Sequence, residues 1–232
     1  MILSHKHKFI FLKTNKTAGT SVEIALSQVC GPDDIITPIS REDERLRHSM
    51  GGRGAQNYAA PWRDYSLVEW KKRILKGKRK KRYYSHMPAR HLMELVPQDV
   101  WEGYYKFCFE RNPWERVISL YYWRYRKAQS LPSITEFLDS GTPLVLREKG
   151  FHVYTVDDQP VVDTICRYEH LADELRRVCD HVGVPADNME IPRAKGSFRK
   201  DRRPYREILS PEETERIGRM FHREIELMGY TF

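Results

Sequence analysis

The chain has 232 residues, of which 40% are hydrophobic, 12% aromatic and 31% charged. This composition supplies enough apolar side chain for a sizeable core, so it disfavours wholesale disorder and a fibrous repeat. No apolar run approaches the roughly 20 residues that cross a bilayer, and the basic segment 5–8 interrupts the start before a secretory signal could develop. We expect a single domain over residues 1–232 with a cytoplasmic location.

Positive charge is concentrated in one segment. Residues 71–82 contain nine Lys and Arg and no acid, whereas the remaining 31 basic residues are balanced by the 32 Asp and Glu of the chain. Such a segment suits a polyanion, an anionic membrane or an acidic acceptor, and equally a solvated face without a partner. We predict that it belongs to an irregular, basic insertion covering about residues 31–82.

The cysteines indicate reduced thiols. Cys30, Cys108, Cys166 and Cys179 have neither CxxC nor zinc-site spacing. Cys108 and Cys166 stand in apolar runs, where a small buried side chain is expected. We therefore predict no metal site and a reducing compartment.

Strands and helices are predicted to alternate along the chain. Apolar runs predict strands at 8–13, 104–109 and 161–167. Helical periodicity and capping signals predict helices from Gly19 to Gly31, near 41–47, from Pro88, from Pro113 through Arg124, at about 170–182, and from the capping box at Ser210 to Gly229. This alternation predicts an α/β fold, a P-loop-like three-layer domain with a central, mainly parallel sheet flanked by helices.

Two strand-to-helix corners carry residues suited to phosphate binding. The first has the sequence KTNKTAGTS at residues 13–21, where small residues and hydroxyls precede a helix and Lys16 adds a charge. The second has Arg111 at a strand end and Ser119 about two turns into the following helix. Taken alone, the first is also compatible with an ordinary turn, and Arg111 with a structural ion pair.

Together the two corners resemble a known family. The sequences KTAGTS at 16–21 and RNPWERVISLYYW at 111–123 are similar to those of sulfotransferases that use 3′-phosphoadenosine-5′-phosphosulfate (PAPS), particularly the carbohydrate O-sulfotransferase branch. The resemblance extends to SHMP at 85–88, RYEHL at 167–171, KGSF at 195–198 and GYTF at 229–232. It therefore covers nearly the whole chain.

The resemblance implies specific roles for these residues. It implies contacts to the 5′-phosphosulfate from Lys16, Thr17, Ala18, Gly19, Thr20 and Ser21, contacts to the 3′-phosphate from Arg111 and Ser119, and a loop closing over the nucleotide at Lys195, Gly196 and Ser197. Lys16 would stabilise the leaving group and His86 would be the general base. Without the resemblance, His86 reads as a hydrogen-bonded core residue, and His48 and Glu69 are alternative bases.

The implied enzyme is a PAPS-dependent sulfotransferase. It would move a sulfuryl group from PAPS to an acceptor hydroxyl of a carbohydrate or another small molecule by in-line displacement, releasing adenosine 3′,5′-bisphosphate (PAP) without a metal. The partners expected are this nucleotide donor and a hydroxylated acceptor, for which an anionic molecule and a glycan are both compatible; a homo-oligomer is compatible with the sequence, and nucleic acid is disfavoured. Because residues 71–82 directly precede His86, we also expect them to line the acceptor cleft.

Some features depart from the family pattern. Glu110 occupies a position that is usually apolar, and a Glu110–Arg111 pair would compete with the phosphate. The chain is also short and has no membrane anchor, as expected for a prokaryotic cytosolic enzyme or an excised catalytic domain.

Two other function classes remain open. One is a nucleic-acid or polyanion binder that uses the basic segment and its neighbouring aromatic residues. The other is a P-loop kinase of small molecules, although the first corner lacks the GxxxxGK[ST] order that such an enzyme needs.

Overall fold

The computed structural model describes residues 1–77, 79–185, 189–192, 199 and 201–232. The strands are β1 (Ile2–Ser4), β2 (Phe9–Leu12), β3 (Ile35–Ile36), β4 (Tyr105–Glu110), β5 (Thr155–Val156), β6 (Gln159–Pro160) and β7 (Thr164–Arg167). The helices are α1 (Gly19–Ser27), α2 (Arg41–Ser49), α3 (Leu67–Lys76), α4 (Ala89–Met93), α5 (Gln98–Gly103), α6 (Pro113–Arg124), α7 (Ile134–Asp139), α8 (Val145–Glu148), α9 (Phe151–Tyr154), α10 (Leu171–His181), α11 (Tyr205–Ile208), α12 (Pro211–Met220) and α13 (His222–Met228). Short 3₁₀ turns lie at Trp62–Asp64, Thr142–Leu144 and Tyr168–His170.

The central sheet of the described residues has the strand order β3-β1-β2-β4-β7. Strands β2, β4 and β7 are parallel neighbours, and their registers pair Leu12 with Cys108 and Glu110 with Arg167. Strands β1 and β3 extend the sheet on the β2 side and run antiparallel to their neighbours. The predicted α/β class is therefore confirmed, with a mixed sheet whose parallel part carries the two corners.

Both faces of the sheet are covered, which explains why its strands read as continuous apolar runs. The aromatic side chains of β2 and β4, including Phe11 and Phe107, pack with α1 and α10 on one face. Ile10, Leu12 and Cys108 point to the other face, where α4 and α9 cover them. A third apolar cluster, centred on α6, α7 and α12, extends the core beyond the sheet edge.

Local signals account for several helix boundaries. The Asn112 side chain accepts hydrogen bonds from the backbone N–H groups of Trp114 and Glu115, so it caps α6 with Pro113 in the first turn. The capping box of Ser210 and Glu213 starts α12, as predicted. The single final helix that was predicted is wrong in one respect, because the backbone leaves helical geometry at Phe221 and separates α12 from α13.

The predicted character of Cys108 and Cys166 is confirmed. Both are fully buried, and burial raises the pKa of the Cys166 thiol to about 12. Within the described residues, no helix combines the length and the apolar character required to span a membrane.

Candidate functional site

The loop between β2 and α1 has the backbone geometry of an anion-binding nest. Lys16 and Ala18 both have left-handed φ values, 66° and 56°, and they alternate with Thr17 along the loop. Ala18 is the N-cap of α1 and makes no side-chain capping bond. The N-cap residue therefore supplies no side-chain oxygen to the first N–H groups of α1, and helix N-termini of this kind bind anions.

Contacts from distant parts of the chain fix this loop. Asn15 N–H donates to the carbonyl oxygen of Lys149 at 2.7 Å, and Arg116 Nε donates to the carbonyl oxygen of Asn15 at 2.9 Å. Within the loop, the hydroxyl groups of Thr14 and Thr17 are hydrogen-bonded at 2.7 Å. The left-handed residues are held by tertiary contacts, which is how unfavourable backbone conformations persist at functional sites.

Lys13 and Lys16 differ in their environments. Lys13 is buried, and its Nζ lies 2.5 Å from Glu23 Oε2. Burial acts to raise the pKa of Glu23, but Lys13 and the amino group of Met1 outweigh it and lower that pKa to about 2. Lys16 Nζ instead lies 5.4 Å from the centre of the Trp123 ring, at the cavity. Glu23 therefore compensates the charge of Lys13, while Lys16 brings its charge to the loop.

At the second corner, Glu110 does not pair with the Arg111 side chain. Glu110 Oε1 lies 2.5 Å from Arg116 Nη1, and Tyr154 donates to Glu110 Oε2 at 3.0 Å. Glu110, Arg116 and Tyr154 are buried behind the corner. The carboxylate also accepts the backbone N–H of Arg111 at 2.9 Å, so it orients the corner and leaves the Arg111 guanidinium outside this ion pair.

The Arg111 guanidinium joins the two corners. Its Nη1 donates to the carbonyl oxygen of Lys16 at 3.2 Å, and its Nη2 lies 2.9 Å from Glu115 Oε1. It stacks on the Tyr168 ring at 4.1 Å from the ring centre, and the same Glu115 oxygen accepts Arg199 Nη1 at 2.6 Å. Among the described residues, Arg111 Nε is one of the few buried side-chain atoms without a hydrogen-bond partner. This leaves donor capacity for an anion.

The next turns of α6 add a stripe of side chains to the cavity wall. Glu115, Ser119, Tyr122 and Trp123 follow one another at spacings of four, three and one residue, which places them on one side of the helix. Ser119 contributes a hydroxyl two turns after Arg111, while Tyr122 and Trp123 contribute aromatic surface.

His86 lies at the same cavity and has its tautomer fixed. It has a left-handed φ of 58°, and its Nδ1 lies 2.9 Å from the carbonyl oxygen of Lys13. Because a carbonyl only accepts, Nδ1 carries the hydrogen and Nε2 keeps a lone pair. Burial, followed by the charge of Lys13, lowers the pKa of His86 to about 3. The ring is therefore neutral at ordinary pH and can accept a proton at Nε2.

These residues enclose a cavity of about 510 Å³. Its lining consists of Lys13, Thr14, Asn15, Lys16, Ala18, Gly19, Thr20, Ile39, Ser40, Ser85, His86, Arg111, Glu115, Ser119, Tyr122, Trp123, Lys149, Tyr168 and Arg199. This volume lies within the range of small-molecule and cofactor sites. The described residues contain no group of three or more His, Cys, Asp or Glu placed to hold a metal ion.

Most of the residues singled out in the sequence meet at this cavity. Two exceptions are Thr17 and Ser21, which are buried and are not part of the described lining. Lys195, Gly196 and Ser197 lie outside the described residues.

The alternative bases and the basic segment lie elsewhere. Neither His48 nor Glu69 lines the cavity, and hydrogen bonds from Ser66 and Lys80 lower the pKa of Glu69. The lining also includes no described residue of 71–82, so the expectation that this segment lines the acceptor cleft is not supported there.

Sequence reasoning missed several lining residues. Glu115, Tyr122 and Trp123 share the spacing of Ser119 on α6, so helical periodicity was a signal that could have found them. Tyr168 follows the last sheet strand, and this position at a strand end was a further signal. Arg199 has no comparable signal, because only tertiary folding brings it to Glu115.

One comparison with known proteins identifies the family of this chain. A family model described as the sulfotransferase family matches residues 1–144, which include the first loop, His86, Arg111 and Ser119. A protein of Archaeoglobus fulgidus, described as uncharacterized, is 36% identical over 106 residues, covering 44% of this chain and 86% of that protein. The crystal structure of mouse sulfotransferase SULT7A1 complexed with PAP matches with a TM-score of 0.45 and 11% identity, over 96% of this chain and 85% of that chain.

Proposed function

The chain belongs to the sulfotransferase family, and from this membership we propose that it transfers a sulfuryl group from PAPS to an acceptor hydroxyl. PAPS supplies the activated sulfuryl group, and PAP is the second product. We further propose that residues 1–232 work as one domain, because the cavity lining runs from Lys13 to Arg199. The free, buried cysteines suit the cytoplasm as the location.

One observation carries this proposal: Arg111 links the two corners and keeps a buried donor without a partner. Its guanidinium contacts the carbonyl of Lys16, and its Nε is unpaired within the described chain. Phosphate provides the oxygen acceptors that a guanidinium fork binds best. We assign Arg111 and Ser119 to the 3′-phosphate, and the N–H groups of the first loop to the 5′-phosphosulfate.

Lys16, the first loop and His86 have separate roles in the proposed reaction. Lys16 stabilises the negative charge that develops on the leaving oxygen, and the preorganised N–H groups of the first loop hold the charged group in line. His86 Nε2 accepts the acceptor's hydroxyl proton while Nδ1–H remains bonded to Lys13. Negative charge held at the loop favours the imidazolium form of His86, so it assists this proton transfer.

The acceptor is proposed more broadly than the donor. The resemblance of the two corners favours a carbohydrate hydroxyl, and the rings of Tyr122 and Trp123 give the cavity flat apolar surface against which a ring can stack. Lys149 and Lys16 make the cavity suitable for an anionic acceptor as well.

Two measurements test the proposal. We expect PAP to raise the melting temperature more than ATP with Mg²⁺, since a ligand that binds only the folded state stabilises it. We also expect labelled sulfuryl transfer from PAPS to at least one hydroxyl acceptor in a panel of glycans, phenols, lipids and peptides. Preferential stabilisation by ATP would favour a kinase, and absence of PAP binding would contradict the assignment.

A further inference from the structure

Helix α3 turns its apolar face to solvent. Leu67, Val68, Ile74 and Leu75 are 84%, 61%, 76% and 78% exposed. At 100° per residue these four side chains fall on one side of the helix, around Lys71. Trp62, 69% exposed, lies beside this helix with its ring 5.5 Å from that of Trp70. We call Leu67, Val68, Ile74 and Leu75 the apolar face of α3.

The contacts on the opposite side of the helix explain this orientation. The Trp70 ring packs against Trp62 and Tyr65, each at 5.5 Å. Glu69 accepts Lys80 Nζ at 3.1 Å, and the backbone N–H of Lys80 donates to the Tyr65 hydroxyl at 2.9 Å. These bonds direct Trp70 and Glu69 toward the protein, so the aliphatic residues on the other side remain exposed.

Positive charge is concentrated in the sequence of α3 and in the residues that directly follow it. Residues 71–82 have nine basic residues and no acid, and Lys71, Arg79 and Arg82 are exposed. Glu69, the acid on the helix, is already paired with Lys80. On the side of α3 away from the apolar face, Arg73 and Arg79 line a cleft of about 120 Å³ whose walls include Trp62 and Trp70. Exposed aliphatic residues, tryptophan and basic side chains together are typical of helices that lie in a lipid interface.

We propose that α3 docks the protein on an anionic lipid surface, with its apolar face inserted and the charged ends of Lys71 and Arg79 at the headgroups. The ten-residue helix would lie in the plane of the interface. A soluble polyanion would use the charges but leave the four exposed aliphatic side chains in water. A second copy of the chain would bring the same positive charge to the contact, and like charges oppose such pairing.

The test is flotation with vesicles of phosphatidylcholine alone and with 30% phosphatidylserine added, at low and high salt. We expect wild-type protein to bind only the anionic vesicles and to be released by salt. The combined change Leu67→Ser, Ile74→Ser and Leu75→Ser should weaken binding at least tenfold. Changing Lys71→Gln and Arg79→Gln should weaken it about thirtyfold, since each basic residue near such a surface contributes about 1 kcal/mol.

The matched control is Leu131→Ser with Leu144→Ser, which removes exposed leucines elsewhere and should leave vesicle binding unchanged. Circular dichroism checks folding, and the single variant Ile74→Ser replaces the triple variant if that one unfolds. The proposal is overturned if wild-type protein does not bind anionic vesicles, or if the serine variants bind them as well as wild type does. It is also overturned if wild type is a dimer that the serine changes dissociate. Because the readout needs no nucleotide, its failure is distinguishable from failure of sulfuryl transfer.

Discussion

Arg111→Ala is expected to weaken nucleotide binding through the 3′-phosphate alone. Arg111 contacts Lys16 and Glu115, and its Nε has no partner among the described residues. A hydrogen bond to a charged group contributes about 1.5–3 kcal/mol. Its loss corresponds to roughly 10- to 150-fold weaker binding of PAP.

The sharpest assay compares PAP with adenosine 5′-monophosphate, which lacks the 3′-phosphate. Isothermal titration of both ligands to wild type and Arg111→Ala forms a double-mutant cycle between the side chain and that phosphate. We expect the large loss with PAP and less than about threefold with the monophosphate. Equal losses for both ligands would refute the assignment and leave Arg111 as a support for the loop. Arg177→Ala, an exposed arginine on α10, is the control and should change neither affinity.

The remaining predictions concern the base, the lysine and the loop. The pKa of His86 is about 3 in the folded protein, below its unfolded value near 6.5, so the stability that His86 contributes is present above pH 6.5 and is lost as the pH falls toward 3. Denaturant titrations of wild type and His86→Gln should therefore show wild type losing stability relative to the variant between pH 6.5 and 3. A difference in stability that stays constant over this range would contradict the low pKa. Lys16→Ala should lower kcat by about 10²–10⁴ in sulfuryl transfer, and near-normal turnover would remove its role. Gly19→Ala places a Cβ 2.7 Å from Cγ of the buried Lys13, so we expect a loss of about 1–3 kcal/mol in thermal unfolding. The control Gly218→Ala on α12 meets nothing closer than 3.8 Å and should stabilise by up to about 1 kcal/mol; equal effects of the two changes would refute the role of close packing at Gly19.

The two buried carboxylates of the corners illustrate how far sequence reasoning reaches. Glu110 could be recognised as a departure from the family pattern, and pairing with Arg111 was the nearest interpretation. In the structure Glu110 instead forms an ion pair with Arg116, six residues later in the chain. The first turn of α6 directs the Arg116 side chain back toward the end of β4. Glu23 was not singled out, since its partner Lys13 precedes the loop and the two meet only after α1 packs on the sheet.

The edge of the sheet was less predictable than its centre. Strand β2 and the segment 107–109 of β4 are apolar runs buried on both faces, which is a strong local signal. Strand β1 has three residues followed at once by a basic turn, and β3 has two. Strands this short are specified by pairing with a neighbour rather than by their own pattern.

What the sequence by itself determined is the local part: the apolar strands, the helix caps at Asn112 and Ser210, and two corners with phosphate-binding character. These features depend on residues within a turn or two of each other, so short segments of the sequence are enough to predict them. Tertiary structure alone decided that Arg111 reaches the carbonyl of Lys16, that Arg199 meets Glu115, and that the apolar side of α3 faces outward. Each of these contacts depends on how separate elements pack against one another. The packing of segments that are distant in the chain produces no periodic pattern in the amino-acid sequence.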